Sequence, residues 1–212
     1  FMFTTNETWA VPATADERRF FVLDMTARRR GDYAYFGAID DQMRSGGTEA
    51  LLAWLLSLDL AQGPNLRCAP ATKGLMNQKL AGLGSVQLAW FNWLRAGHIG
   101  DVAGRGAQAA EAFAGPGEDA DLSGDDLFAL PGDDWPAWVA TEKARELYVK
   151  ATSEQKKLRV ESDDAFSKTL KEMCPDAKRV QRKDSSTGKR AWGYALPPLE
   201  ACREAFCRYM GG

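Results

Sequence analysis

A single histidine, His98, among 212 residues leaves almost no imidazole for a metal cage or a proton relay. Cysteine is also sparse. Cys68, Cys174, Cys202 and Cys207 lack the Cys-x-x-Cys spacing of zinc sites, so neither a metal scaffold nor a disulfide framework is expected. Apolar runs such as residues 50–56 are far shorter than the roughly 18 residues a spanning helix needs, and no charged-then-apolar leader stands at the start. Membrane insertion and secretion therefore have no support, and a reduced, cytoplasmic compartment is expected. Catalytic signatures are missing too. No G-x-S-x-G elbow or H-E-x-x-H pair occurs, and Gly188-Lys189 fails as a phosphate loop because Lys183 replaces the first glycine and Arg190 the closing Ser or Thr. Without that loop, autonomous catalysis is not expected.

What the chain has is charge, unevenly distributed. The total of -2 conceals an acidic stretch, residues 111–135, with eight acids and no base. It also conceals a C-terminal segment, residues 140–212, with sixteen basic residues against eleven acids. The density peaks between Lys178 and Arg190, where six basic residues accompany one acid. Such a segment is a candidate for binding phosphates, although a solvated protein surface accounts for the same balance.

The pattern predicts an α+β chain, mainly helical. Residues 1–5 and 20–23 are apolar runs suited to buried strands, and the start inside such a run suggests a fragment. An isolated strand pair is marginal in water, so these two need neighbours. Helices are expected over 32–44, ending at Gly46-Gly47, and over 49–58, where Leu51, Leu52, Trp54, Leu55, Leu56 and Leu58 read as core. A third runs over 72–95, with Gly82 and Gly84 able to split it. Residues 98–135, rich in Gly, Ala and Asp, read as an acidic linker or insertion of doubtful order.

A compact unit is expected over 136–212, after an N-terminal unit over 1–97. It has a helix from Pro136, a Ser162-capped helix burying Phe166, Leu170 and Met173, a hairpin of 178–183 with 189–196, and a last helix launched by Pro197-Pro198. Helix, helix, hairpin, helix is a winged-helix order. Lys168 and Lys171 on the second helix, and Arg179, Arg182, Lys183, Lys189 and Arg190 on the wing, are the candidate DNA contacts. Trp192 and Tyr194 are assigned to packing within the hairpin.

One stretch carries a family likeness. Thr4-Thr5-Asn6-Glu7-Thr8-Trp9-Ala10-Val11-Pro12, followed by Asp16-Glu17-Arg18-Arg19-Phe20-Phe21-Val22-Leu23, resembles the end of the ATPase core in phage and plasmid primase-helicases. These belong to superfamily 3 of the helicases, within the AAA+ class of P-loop ATPases. The Gly46 to Leu52 helix, the Gln78 to Trp90 segment and the winged-helix order look similar to the same group. The resemblance implies the truncated end of a P-loop ATPase sheet, a helical region and a C-terminal winged helix. Asn6 would be the sensor at a strand end, and Arg18 or Arg19 the arginine finger that reaches a neighbouring subunit's nucleotide. Read without the family, Asn6 is a loop cap, and Arg18 and Arg19 pair with Asp16 or Glu17 on the surface.

ATP and Mg2+ are implied only for a full-length parent that assembles into a ring on DNA. The chain alone lacks the phosphate loop and the magnesium-holding acid. The function expected is thus the C-terminal part of an ATP-dependent replicative helicase, with a primase or initiator as a further partner and no membrane. The alternative is a non-enzymatic winged-helix module that binds a replication protein through Leu and Trp surfaces. A transcriptional regulator, the third reading, would call for a dimer seam of heptads that the last helix lacks.

Overall fold

The computed structural model describes residues 1–7, 9–14, 17, 19–63, 72–100, 128, 134–153, 158–183 and 188–211. The architecture is α+β. Helices α1 (Tyr33–Gln42), α2 (Thr48–Ser57), α3 (Lys73–Ala81) and α4 (Ser85–Ala96) precede strand β1 (Trp138–Ala140). Helices α5 (Thr141–Ser153) and α6 (Asp163–Met173), strands β2 (Lys178–Lys183) and β3 (Arg190–Ala195), and helix α7 (Leu199–Tyr209) complete the chain. The strands form one antiparallel sheet in the order β1-β3-β2. None of the described helices is long and apolar enough to cross a membrane.

The core is centred on α4. Its residues Val86, Trp90, Phe91, Trp93 and Leu94 are buried in one cluster with Tyr148 of α5, Phe166, Leu170 and Met173 of α6, Tyr194 of β3, and Cys202 and Phe206 of α7. Aromatic rings supply much of this contact. Phe91 stacks on Phe206 at 5.6 Å, and Trp90 meets Trp93 and Trp135 edge-on at 6.3 and 5.7 Å. The acidic stretch expected as a divider thus separates two halves of a shared core. Phe128, near its end, is buried against Phe91 and Phe206. The expected disorder of 98–135 falls largely outside the described residues.

Two polar side chains drawn into this core are matched, whereas the buried Trp90 Nε1 has no hydrogen-bond partner among the described residues. The Tyr148 hydroxyl bonds Ser85 Oγ of α4 at 2.8 Å and accepts from the Glu161 N–H at 2.8 Å, which ties α4, α5 and the approach to α6 together. Arg203 of α7 is buried and donates from Nε and a terminal nitrogen to the Leu94 carbonyl, at 3.1 and 3.0 Å. Leu94 lies in the last turn of α4, where carbonyls have no partner inside the helix, so the guanidinium caps one helix with another. Arg203→Lys keeps the charge but loses the fork. It is expected to cost about 1–2 kcal/mol of unfolding free energy, read by urea denaturation.

Several sequence expectations are matched locally. Ser162 Oγ accepts from the Ala165 N–H, the hairpin strands fall where alternation puts them, and the third helix splits at Gly82–Gly84 into α3 and α4. The helix expected from Pro136 begins only at Thr141. Before it, Trp138–Ala140 pairs with β3 as a three-residue strand too short to show a period of two.

Two expectations are corrected. Residues 1–5 and 20–23 form no strand: with no neighbouring strand to complete their hydrogen bonds they run as unpaired chain, and Phe1, Met2, Phe3, Phe21 and Leu23 are exposed. The segment is instead pinned to α3, where Gln78 Oε1 accepts from the Ala10 and Val11 N–H groups at 2.7 and 3.1 Å. Helix α2 was expected in the core, yet neither it nor α1 buries a single residue. The two meet at a kink within Met43–Gly47, where Ser45 leaves helical geometry and Gly46 takes φ +95°, a conformation costly for any residue with a Cβ. Around this kink Phe36, Leu51, Leu52, Trp54, Leu55 and Leu56 all lie exposed.

Candidate nucleic-acid interface

The β2–β3 hairpin concentrates the positive charge. In β2, Lys178, Arg179, Arg182 and Lys183 are exposed, and Lys189 and Arg190 are exposed across the turn, so all five wing candidates and Lys178 reach solvent. Residues 184–187 of the expected turn lie outside the described residues. The register decides which face each side chain takes. Arg179 is opposite Tyr194, Gln181 opposite Trp192 and Lys183 opposite Arg190, so these six share one face. Lys178, Val180 and Arg182 share the other face with Ala191, Gly193 and Ala195. There the sheet is covered by Trp138, whose ring lies over Gly193.

The first of these faces leads to α6. Tyr194 is buried, its ring 6.4 Å from Phe166 and its hydroxyl 2.8 Å from Ser167 Oγ, so α6 packs on that side of the sheet. Two residues along β3, Trp192 lies past this contact and is 53% exposed. The assignment of both aromatics to packing thus holds for Tyr194 and fails for Trp192. Alternation puts both on one face, but only tertiary packing decides which of them is covered. The guanidinium of Arg179 sits over the Trp192 ring at 5.5 Å.

On α6 the apolar residues Phe166, Leu170 and Met173 take the inner face, which turns Lys168 and Lys171 outward and exposed. Asp164 and Glu172 are exposed on the same outward side by helical spacing, so this face carries no net charge. Asp163, at the start of α6, pairs with Arg145 of α5 at 2.8 Å. The hairpin, not the helix, therefore supplies the attraction for an anion.

The N-terminal candidates lie in a separate segment. Asn6 is exposed on unpaired chain rather than at a strand end. Arg19 is held by the buried carboxylate of Glu17, which accepts from its backbone N–H at 2.7 Å, from Nε at 3.1 Å and from a terminal nitrogen at 2.9 Å. That is the local ion pair weighed above as the alternative. Arg18 lies outside the described residues. As placed, Asn6 stands at no strand end and Arg19 is engaged by its own loop, and no step of ATP hydrolysis is derived from them.

The buried thiols of α6's C-terminal end and α7 form a hydrogen-bonded pair. Cys174 and Cys202 lie 3.8 Å apart, and their hydrogen bond together with burial pushes the Cys202 thiol well above the usual range, so it stays protonated at neutral pH. Among the described residues no group of three or more His, Cys, Asp or Glu side chains is gathered.

Comparison of the chain with protein-family models, with curated proteins and with solved structures finds no match.

Proposed function

We propose that α4 and the elements from β1 to α7 form a winged-helix module that binds DNA, with the basic hairpin as its wing. One observation carries this reading. Strand β1 lies in sequence between α4 and α5 and pairs with β3, giving a sheet in the order β1-β3-β2 whose β2–β3 hairpin directly follows α6. A helix, a short strand, two helices and a hairpin that closes on the short strand is the winged-helix connection. The six exposed basic residues on the hairpin add the charge that a phosphate backbone requires.

In this role the wing lies along phosphates and fixes orientation, while α6 approaches a groove with Lys168 and Lys171 on its outward side. Binding should be dominated by counterion release, so affinity should fall steeply with salt. Fluorescence anisotropy with a mixed-sequence duplex tests this. Arg182→Ala with Lys183→Ala is expected to weaken binding about tenfold and to lower the slope of log K against log salt by about 2. Salt-independent binding, or none by the unmodified chain, would refute the reading.

As the larger proposal, suggested by the sequence resemblance to primase-helicases, such a module would sit at the DNA-contacting end of a replicative ATPase that forms rings. Asn6 and one of Arg18 and Arg19 remain its candidates for the nucleotide site, a role that requires Asn6 to join a sheet and, for Arg19, release from Glu17. A second reading has its own observation: the exposed apolar residues of α1 and α2 favour a polypeptide partner, such as another replication protein, on that helix pair. The two readings concern different surfaces and are compatible.

A further inference from the structure

We propose that Trp192 is a stacking platform for an unpaired base, so that the hairpin recognises single-stranded DNA beside the duplex. This deepens the winged-helix reading and rests on it. An indole that is 53% exposed on a sheet whose next same-face residue, Tyr194, is buried is the departure from packing that the hairpin leaves unexplained. Trp192 lies two residues from Tyr194 towards the hairpin turn, on the same face that Tyr194 presents to α6. An extended nucleotide strand entering between wing and helix therefore meets this ring.

The surroundings select the ligand. On the same face stand Arg179, Lys183 and Arg190, with Gln181 directly opposite Trp192 and no acid among the described residues of either strand. The Arg179 guanidinium stands 5.5 Å from the centre of the indole, which puts a cation for a phosphate beside a ring that is still half exposed. An aromatic face flanked by cations is what a single strand needs, since its bases offer flat surfaces and its backbone offers charge at each step. Duplex DNA has its bases already stacked and can use only the cations. The site is thus specific for strand state and indifferent to base identity.

The test uses the whole 212-residue chain, with a labelled oligo(dT) of about 15 nucleotides and a blunt duplex as probes. Trp192→Ala is expected to weaken oligo(dT) binding about tenfold and Trp192→Phe much less, while duplex affinity changes less than about twofold in both. Equal loss on both probes, or no loss on either, overturns the stacking role. If Arg182→Ala with Lys183→Ala still weakens duplex binding in that case, the winged-helix reading survives alone. A drop in melting temperature of Trp192→Ala with no selective loss on oligo(dT) would make Trp192 a packing residue and also overturn the proposal. Absence of DNA binding by the unmodified chain would remove both.

Discussion

Phe206→Ala is expected to lower the unfolding free energy by about 3–5 kcal/mol, the largest effect of any single truncation considered. The side chain is fully buried and touches rings from three parts of the chain: Phe91 of α4 at 5.6 Å, Phe128 at 6.3 Å and Tyr209 of its own helix at 6.2 Å. Alanine leaves a ring-sized cavity between α4 and α7. Those helices are held apart by other contacts, including the Arg203 guanidinium on the Leu94 carbonyl, so the gap has little freedom to collapse. Denaturant unfolding followed by circular dichroism measures the loss. A change below about 1 kcal/mol would mean that α4 and α7 do not share a core. Phe206→Leu should recover part of the loss by refilling volume without the stacking geometry.

Gly193→Ala is expected to cost about 3 kcal/mol, although it adds a single methyl group. A Cβ at this position would lie 2.4 Å from the Trp138 ring and 2.4 Å from the Val139 carbonyl oxygen. The ring can swing away. The carbonyl cannot, because it belongs to β1, whose three residues pair with β3 across Trp138–Ala195, Val139–Tyr194 and Ala140–Gly193. Relieving the clash therefore means shifting or detaching β1, which loses both its pairing and the cover over Gly193. A double-mutant comparison separates the two clashes. Trp138→Ala should make Gly193→Ala less costly without making it neutral, since the backbone contact persists. Full additivity, or a neutral Gly193→Ala, would show that β1 does not close the sheet at this register.

These two substitutions probe the scaffold that aims the hairpin, and their consequences extend to binding. If β1 is what fixes β3, then on the proposed winged-helix reading Gly193→Ala should also weaken any DNA binding through loss of hairpin orientation, while leaving all six hairpin cations in place.

The local elements were legible from the residues alone. Ser162 with two acids in the next turn, the spacing of Phe166, Leu170 and Met173, the Pro197-Pro198 start and the alternating hairpin are short-range signals, set by capping, helical period and pleat. The basic hairpin surface followed from composition, because charges on an exposed strand stay where the sequence puts them.

Burial was another matter. Whether Leu51, Leu55 and Trp54 of α2 enter a core, whether Trp192 is covered as Tyr194 is, and whether residues 1–5 become a strand all depend on which partner is present. Hydrophobicity reports only a preference to leave water. The joining of α4 to α6 and α7 across the acidic stretch and the pairing of β1 with β3 are decided in three dimensions. Each joins groups whose individual patterns are equally compatible with several partners, and only packing them at once selects one.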